Sequence, residues 1–263
     1  MAKLKKLKRY QYERYAILCR LAYPNNDIEQ YPLSEFGIRE IFDRWGRPTV
    51  RVFWQAHKEE VIVVFRGSLS LSDWLTNLYF VPVTYQQGEV KYKIHAGYQR
   101  LLSQISCPPD RVDTIKTVEQ EIIDTLTPLV EQGKRVSLTG HSSGGAMSVL
   151  LADRLERRWH GCIKRVVTFG QPSCGLWSFK RGYCLHRRTY RVVCDLDVVS
   201  FLPPLPMVYW HVGRMLWLHN EKIYENTSAV FRFSKSLLSW LMMPISYHFM
   251  RKYIRNKDLF DEH

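Results

Sequence analysis

The stretch from Arg135 to Leu151 constrains this chain more than any other. An apolar, β-favouring run, Val136 to Thr139, leads into Gly140-His141-Ser142-Ser143-Gly144, and a helix-favouring segment with Ala146, Met147, Val149, Leu150 and Leu151 follows at once. The pattern is strand, sharp turn, helix. In G-x-S-x-G the small flanking residues let the chain turn tightly enough to push one serine hydroxyl into the open, which makes Ser142 the candidate nucleophile. The same five residues also occur as an ordinary glycine-rich strand-to-helix turn. Here the strand and helix lie on the sides that the elbow requires.

A serine hydroxyl is a weak nucleophile at neutral pH, so an elbow makes demands on the rest of the chain. It needs a base to take the proton, an acid to orient that base, and donors for the oxyanion. After such an elbow the acid comes first in the chain and the base second. Both are therefore sought beyond residue 142.

Two carboxylates, Asp195 and Asp197, leave the strand read at Thr189–Val193, and spacing alone does not choose between them. The histidines that follow are His211, His219, His248 and the terminal His263. Upstream, Glu60–Phe65 is apolar from Val61 onward, as expected of a central strand covered on both faces. It empties into Arg66-Gly67-Ser68, where the glycine permits close backbone approach and Ser68 offers an N–H and a hydroxyl. That loop is where oxyanion donors belong.

The remaining elements are read from periodicity. Tyr12–Tyr23 reads as a helix with Tyr15, Leu18 and Ala22 on one face. Thr49–Ala56 reads as a half-exposed strand, and Lys93–Tyr98 as a short strand entering a helix. Asp110–Gln132 reads as one amphipathic helix with Val112, Ile115, Val118, Ile122 and Leu129 on its apolar side, kinked by Pro128. Lys164–Phe169 and Thr189–Val193 are the next strands, with another across Met207–Val212. Strands alternating with helices predict an α/β fold built on a mostly parallel, doubly wound sheet with helices on both faces.

With 263 residues, 46% of them hydrophobic, the chain suits one large domain with a sizeable core, and disordered or fibrous classes are excluded. Lys3–Arg9 resembles the basic end of a signal peptide, but Glu13, Arg14 and Arg20 interrupt any apolar region behind it, so no secretory signal is read. No apolar run reaches the length of a spanning helix. A cytoplasmic or peripheral-membrane location is expected, although an effector secreted without a signal would share these features. Six cysteines without metal-type spacing read as reduced, mostly buried thiols. The formal charge of +13, clustered at Lys3–Arg9, Arg157-Arg158, Lys180-Arg181, Arg187–Arg191 and Arg251–Lys257, favours contact with an anionic membrane surface. No nucleic-acid motif accompanies it, and no metal or organic cofactor is called for.

Several of these segments recur together in a known order. Phe65-Arg66-Gly67-Ser68 with Asp73-Trp74, His95-Ala96-Gly97-Tyr98, Gly140–Ala146, Thr168–Pro172 and Asp197–Pro204 resemble the class 3 lipases of the α/β-hydrolase superfamily, and the likeness covers roughly residues 60–253. The resemblance implies a serine carboxylester hydrolase acting on a lipid ester, of triacylglycerol lipase or phospholipase A type. It implies Asp197 as the acid, because that aspartate stands just before the family's V-P-x-L-P-P-like segment. It implies His248 as the base, because His248–Tyr253 matches the closing H-x-M-x-x-Y, with His211 as the alternative. The implied oxyanion donors are Ser68 and the backbone N–H of Ser143. Ser200 in place of proline and Ser143 in place of leucine depart from the pattern without removing a catalytic group.

Two segments have competing readings. Residues 69–83 read as a core helix or as a lid, and the apolar insertion at about 220–247 as a packed helix or as an element lying in a lipid interface. A catalytically silent interaction module is the alternative to an enzyme.

Overall fold

The computed structural model describes residues 7–24, 32–68, 80–109, 115–195, 197–203, 208–228, 230–232 and 248–260. Helix α1 (Arg9–Leu21) is followed by strands β1 (Gly37–Phe42), β2 (Pro48–Trp54), β3 (Glu60–Phe65), β4 (Pro82–Gln87) and β5 (Val90–His95). Helices α2 (Ala96–Ser103) and α3 (Val118–Glu131) precede β6 (Arg135–His141), α4 (Ser143–Arg158) and β7 (Ile163–Phe169). Next come β8 (Gly175–Leu176), α5 (Trp177–Gly182), β9 (Thr189–Cys194), β10 (Tyr209–Trp210), β11 (Arg214–His219), β12 (Lys222–Glu225) and α6 (Met250–Arg255).

The main sheet has the order β1-β2-β3-β6-β7-β9-β11-β12. Its centre, from β3 to β11, is parallel, and antiparallel pairs close both edges. Successive side chains of a strand point to opposite faces, and β3 shows what that does in a fully covered strand. Val61, Val63 and Phe65 join one core with Leu102 of α2, Ile122 and Leu126 of α3, and Val149 and Leu150 of α4. Ile62 and Val64 join the other core, with Tyr12, Tyr15 and Leu18 of α1 and Met250 and Tyr253 of α6. Helices therefore cover both faces, as the unbroken apolar run at 61–65 requires. Glu60, at the start of β3, is a buried carboxylate that accepts hydrogen bonds from Ser137 and from Tyr15 (2.9 Å) and pairs with Arg14 (3.1 Å), tying α1 to the sheet.

Two expectations change. The helix expected over 110–132 begins at Val118, because Thr117 caps it: the Thr117 side chain accepts from the Gln120 N–H and the Gln120 side chain accepts from the Thr117 N–H. This capping box fixes the start, so Ile115 lies outside the helix and is 84% exposed, while residues 110–114 lie outside the described set. Helix α3 runs through Pro128 to Glu131. The strand expected across 207–212 shrinks to β10, which pairs with β8 in a second sheet of order β10-β8-β5-β4.

Of the two disputed segments, 69–79 and 233–247 lie outside the described residues. The opening of the second, 220–225, forms the turn and return strand of the β11–β12 hairpin. All six cysteines are free, and four of them are buried. No helix among the described residues is long and apolar enough to cross a membrane.

Candidate active site

The site is built where β6 gives way to α4. Ser142 stands between them with φ 58° and ψ −130°, a left-handed conformation that costs a non-glycine residue about 1–3 kcal/mol and persists only where its surroundings over-determine it. Here they do. The Ser142 N–H donates to the Phe169 carbonyl at the end of β7 (2.9 Å), and its own carbonyl accepts from Gly145 (3.0 Å). The flanking glycines are there for closeness: a Cβ on Gly144 would come within 2.8 Å of the Arg66 carbonyl, and one on Gly140 within 2.7 Å of the Gly145 nitrogen. The helix thus starts hard against β3 and β6, and the hydroxyl of Ser142 is presented at the edge of a cavity of about 640 Å³.

The structure separates the two aspartates and the rival histidines. Asp195 bonds His219 (2.8 Å). Asp197 bonds His248, whose Nδ1 lies 3.0 and 2.9 Å from its two carboxylate oxygens, and His248 lines the same cavity as Ser142. His211 points elsewhere. Its Nε2 donates to the Ser200 carbonyl (2.9 Å), and burial holds its pKa well below the ordinary histidine value.

Asp197 is fully buried. Burial alone would raise its pKa, but His248, hydrogen bonds from His248 and Tyr253, and the nearby His141 outweigh it, and the carboxyl is held below its usual range. Besides His248, it accepts from the Tyr253 hydroxyl and from the Val199 N–H (3.0 Å). A carboxylate satisfied in this way stays ionised and keeps the Nδ1 proton of His248 on its own side, leaving Nε2 as an acceptor. The Ser142 hydroxyl has no hydrogen-bond partner among the described residues. Such contacts are often long before substrate arrives and tighten only when it is bound.

Ser68 lines the cavity, and its hydroxyl lies 3.1 Å from that of Ser143. Ser143 is the first residue of α4, so its amide belongs to the first turn, whose N–H groups have no partner within the helix. Among the described residues no trio of histidine, cysteine, aspartate or glutamate is arranged to hold a metal ion.

Sequence reasoning missed the residues that hold His248 in place. His141 Nε2 lies 2.6 Å from the backbone carbonyl of His248, an acceptor, so Nε2 carries the proton. The Tyr23 hydroxyl must then donate to Nδ1 of the same ring (2.7 Å). His141 therefore ties the main chain of His248 to the chain just after α1, and its ring lies 4.4 Å from that of His248. The only signal in the sequence was a polar ring immediately before Ser142.

Burial, then the neighbouring His248, pushes the pKa of His141 down to about 3. Unfolded, it would titrate near about 6.5. Because the folded value is depressed, the stability His141 contributes is fully present above that unfolded value and is lost as pH falls toward the folded one. We expect wild-type stability to fall more steeply than that of His141→Gln below about pH 6.5, by up to about 1.4 kcal/mol per pH unit. Denaturant unfolding of both proteins at a series of pH values measures this difference, and parallel curves would sink it.

The model of the family lipase (class 3) matches residues 62–207, more than half of the 263. The chain belongs to the class 3 lipases. Within that family it is 30% identical over 167 residues to a lipase of Rhizomucor miehei, a match covering 61% of this chain and 42% of that one. It is 26% identical over 233 residues to a chloroplastic phospholipase A1 (Igamma2) of Arabidopsis thaliana, covering 73% and 43%. The chain thus spans under half the length of these two relatives. The solved structure of the Rhizomucor miehei lipase propeptide complex superimposes with a TM-score of 0.64 at 25% identity, covering 79% of this chain and 67% of that one. The fold of this class 3 lipase is that of the α/β-hydrolases.

Proposed function

We propose that this class 3 lipase is a serine carboxylester hydrolase that releases fatty acid from a lipid ester. The observation that carries the reading is the buried, ionised Asp197 bonded to His248 on the cavity that Ser142 also borders. Ser142 Oγ attacks the ester carbonyl while His248 Nε2 takes its proton, and Asp197 stabilises the imidazolium that forms. Ser68 and the Ser143 amide hold the oxyanion. His248 then protonates the leaving alcohol. Water, deprotonated by the same ring, attacks the acyl-enzyme, and fatty acid leaves as Ser142 regains its proton.

The two relatives are named a lipase and a phospholipase A1, and one triad serves either chemistry. A cavity of about 640 Å³ is of the size that takes a lipid-like ligand. Phe249, 62% exposed at its rim and followed by Arg251 and Lys252, suits peripheral contact with an anionic membrane, where an apolar ring enters the interface and cations meet head groups.

The test is twofold. A fluorophosphonate is expected to label Ser142, and purified protein to release fatty acid from at least one member of a panel of triacylglycerol, diacylglycerol, and neutral and anionic phospholipids. Neither labelling nor release from any of them would leave the chain a silent hydrolase fold used for interaction.

A further inference from the structure

The main-chain carbonyl of Asp197 is held as firmly as its carboxylate. It accepts from the Ser200 N–H (3.1 Å) and from the Ser200 hydroxyl (2.7 Å), which closes the short helical turn Val198–Phe201. Proline, the residue of the family pattern at 200, has neither an N–H nor a hydroxyl, so this closure belongs to the present chain. Because the Ser200 hydroxyl gives its proton to Asp197, its oxygen accepts from Nη1 of Arg232 (3.1 Å), a group that only donates.

Arg232 is 3% exposed, and its guanidinium lies 4.4 Å from the centre of the Phe201 ring, in the same turn. A buried cation is costly unless an opposite charge compensates it. A second buried guanidinium, Arg191 of β9, adds repulsion. Burial lowers the Arg232 pKa to about 10, and Asp197 is the largest influence that raises it. The side chain is therefore charged at neutral pH. A buried cation and a buried carboxylate thus lie on either side of one serine.

We propose that Arg232 is a positioning residue for ester hydrolysis: through the Ser200 hydroxyl it fixes the turn that presents Asp197 to His248, and its charge offsets that of the carboxylate. The inference rests on the triad reading of the site. A cation placed there also opposes a further positive charge nearby, so it resists protonation of the Asp197–His248 pair as pH falls. The other titratable groups facing the pair are His141 of β6 and Tyr253 of α6, and those facing Arg232 are Tyr253, Arg191 and His211. Burial keeps His141 down at about 3, His211 well below the ordinary histidine value and Arg191 down at about 9, and it raises Tyr253 well above the ordinary tyrosine value. None of the four changes charge between about pH 5 and 7. Arg20, Arg251, Lys252 and Arg255, which share the cavity with His248, are common to every variant compared.

The test compares wild type, Arg232→Met, Arg232→Lys and Ser200→Ala on a soluble ester across pH, with denaturant unfolding to show that each is folded. Arg232→Met is expected to lose about tenfold in kcat and to move the acid limb of kcat/KM up by about half a pH unit or more. The limb moves up because the pair, without the cation, takes its extra proton at higher pH. Arg232→Lys keeps the charge, and its limb should stay with that of wild type. Ser200→Ala keeps the charge and breaks the link, so kcat should fall while the limb stays in place. Where Arg232→Met does not fold, Arg232→Gln, neutral but still a donor, repeats the charge measurement. A limb unmoved by loss of the charge, a limb moved equally by Arg232→Lys, or wild-type kcat in Ser200→Ala overturns the inference and leaves the hydrolase reading standing. Wild type with no turnover on any ester overturns both.

Discussion

Ser142→Ala is expected to lower kcat for ester hydrolysis by about a million-fold while leaving stability within about 1 kcal/mol of wild type. The kinetic half of this expectation follows from the absence of any second nucleophile in the mechanism: without Oγ no acyl-enzyme forms, and only oxyanion donation and binding remain. The stability half follows from the surroundings of the side chain. Ser142 Oγ has no hydrogen-bond partner among the described residues, so its removal orphans no buried group. The strain lies in the backbone, at φ 58°, and alanine keeps both the backbone and the Cβ. Fatty-acid release and denaturant unfolding of the purified variant measure the two halves separately. A variant that turned over at even a tenth of the wild-type rate would move the nucleophile elsewhere. A variant that lost both activity and fold would mean that the hydroxyl has a structural role that its surroundings do not reveal.

What could be read in the sequence was whatever the centre of the sheet dictates. Strands β3, β6, β7 and β9 are buried along most of their length, and burial on both faces writes itself as an apolar run. The edge strands carry no such mark. β4 alternates exposed and half-buried residues, and β12 is polar at both ends, so each is a strand because a neighbour offers its hydrogen-bonding edge. The apolar periodicity over 110–132 likewise passes across Thr117 without a break, and only the T-x-x-Q box shows where the helix starts.

The same division runs through the site. Ser142, Asp197 and His248 lie in motifs whose order along the chain is diagnostic, so family resemblance brings them forward. Tyr23 reaches His141 across 118 positions of chain, and no local pattern announces a contact that only folding creates. Asp195 and Asp197 are two residues apart on one strand end and acquire different histidines. That choice is made by the path of the chain after β9.

Gly170→Ala is expected to damage catalysis far more than its size suggests, lowering kcat by at least about a hundred-fold and stability by about 1–3 kcal/mol. Gly170 has φ +55°, and a Cβ built on it would clash with the Asp197 Oδ2 atom and lie 2.9 Å from His248 Nδ1. Those two atoms are bonded to each other at 2.9 Å, so the methyl group would enter a hydrogen bond that leaves no room for it. Asp197 cannot retreat, because it is fully buried and anchored by Tyr253 and the Val199 amide. His248, whose side chain is 13% exposed, is the partner that must move, and moving it breaks its bond to Asp197 and re-aims Nε2. Gly161→Ala separates this clash from the backbone effect. Gly161 has φ +82°, but a Cβ there would meet nothing within 4 Å, so alanine at that position carries only the left-handed strain of about 1–2 kcal/mol. Measured side by side on a soluble ester, Gly161→Ala should keep wild-type kcat and Gly170→Ala should not. Equal kcat in the two variants would show that the space beside the Asp197–His248 pair is not what the glycine protects.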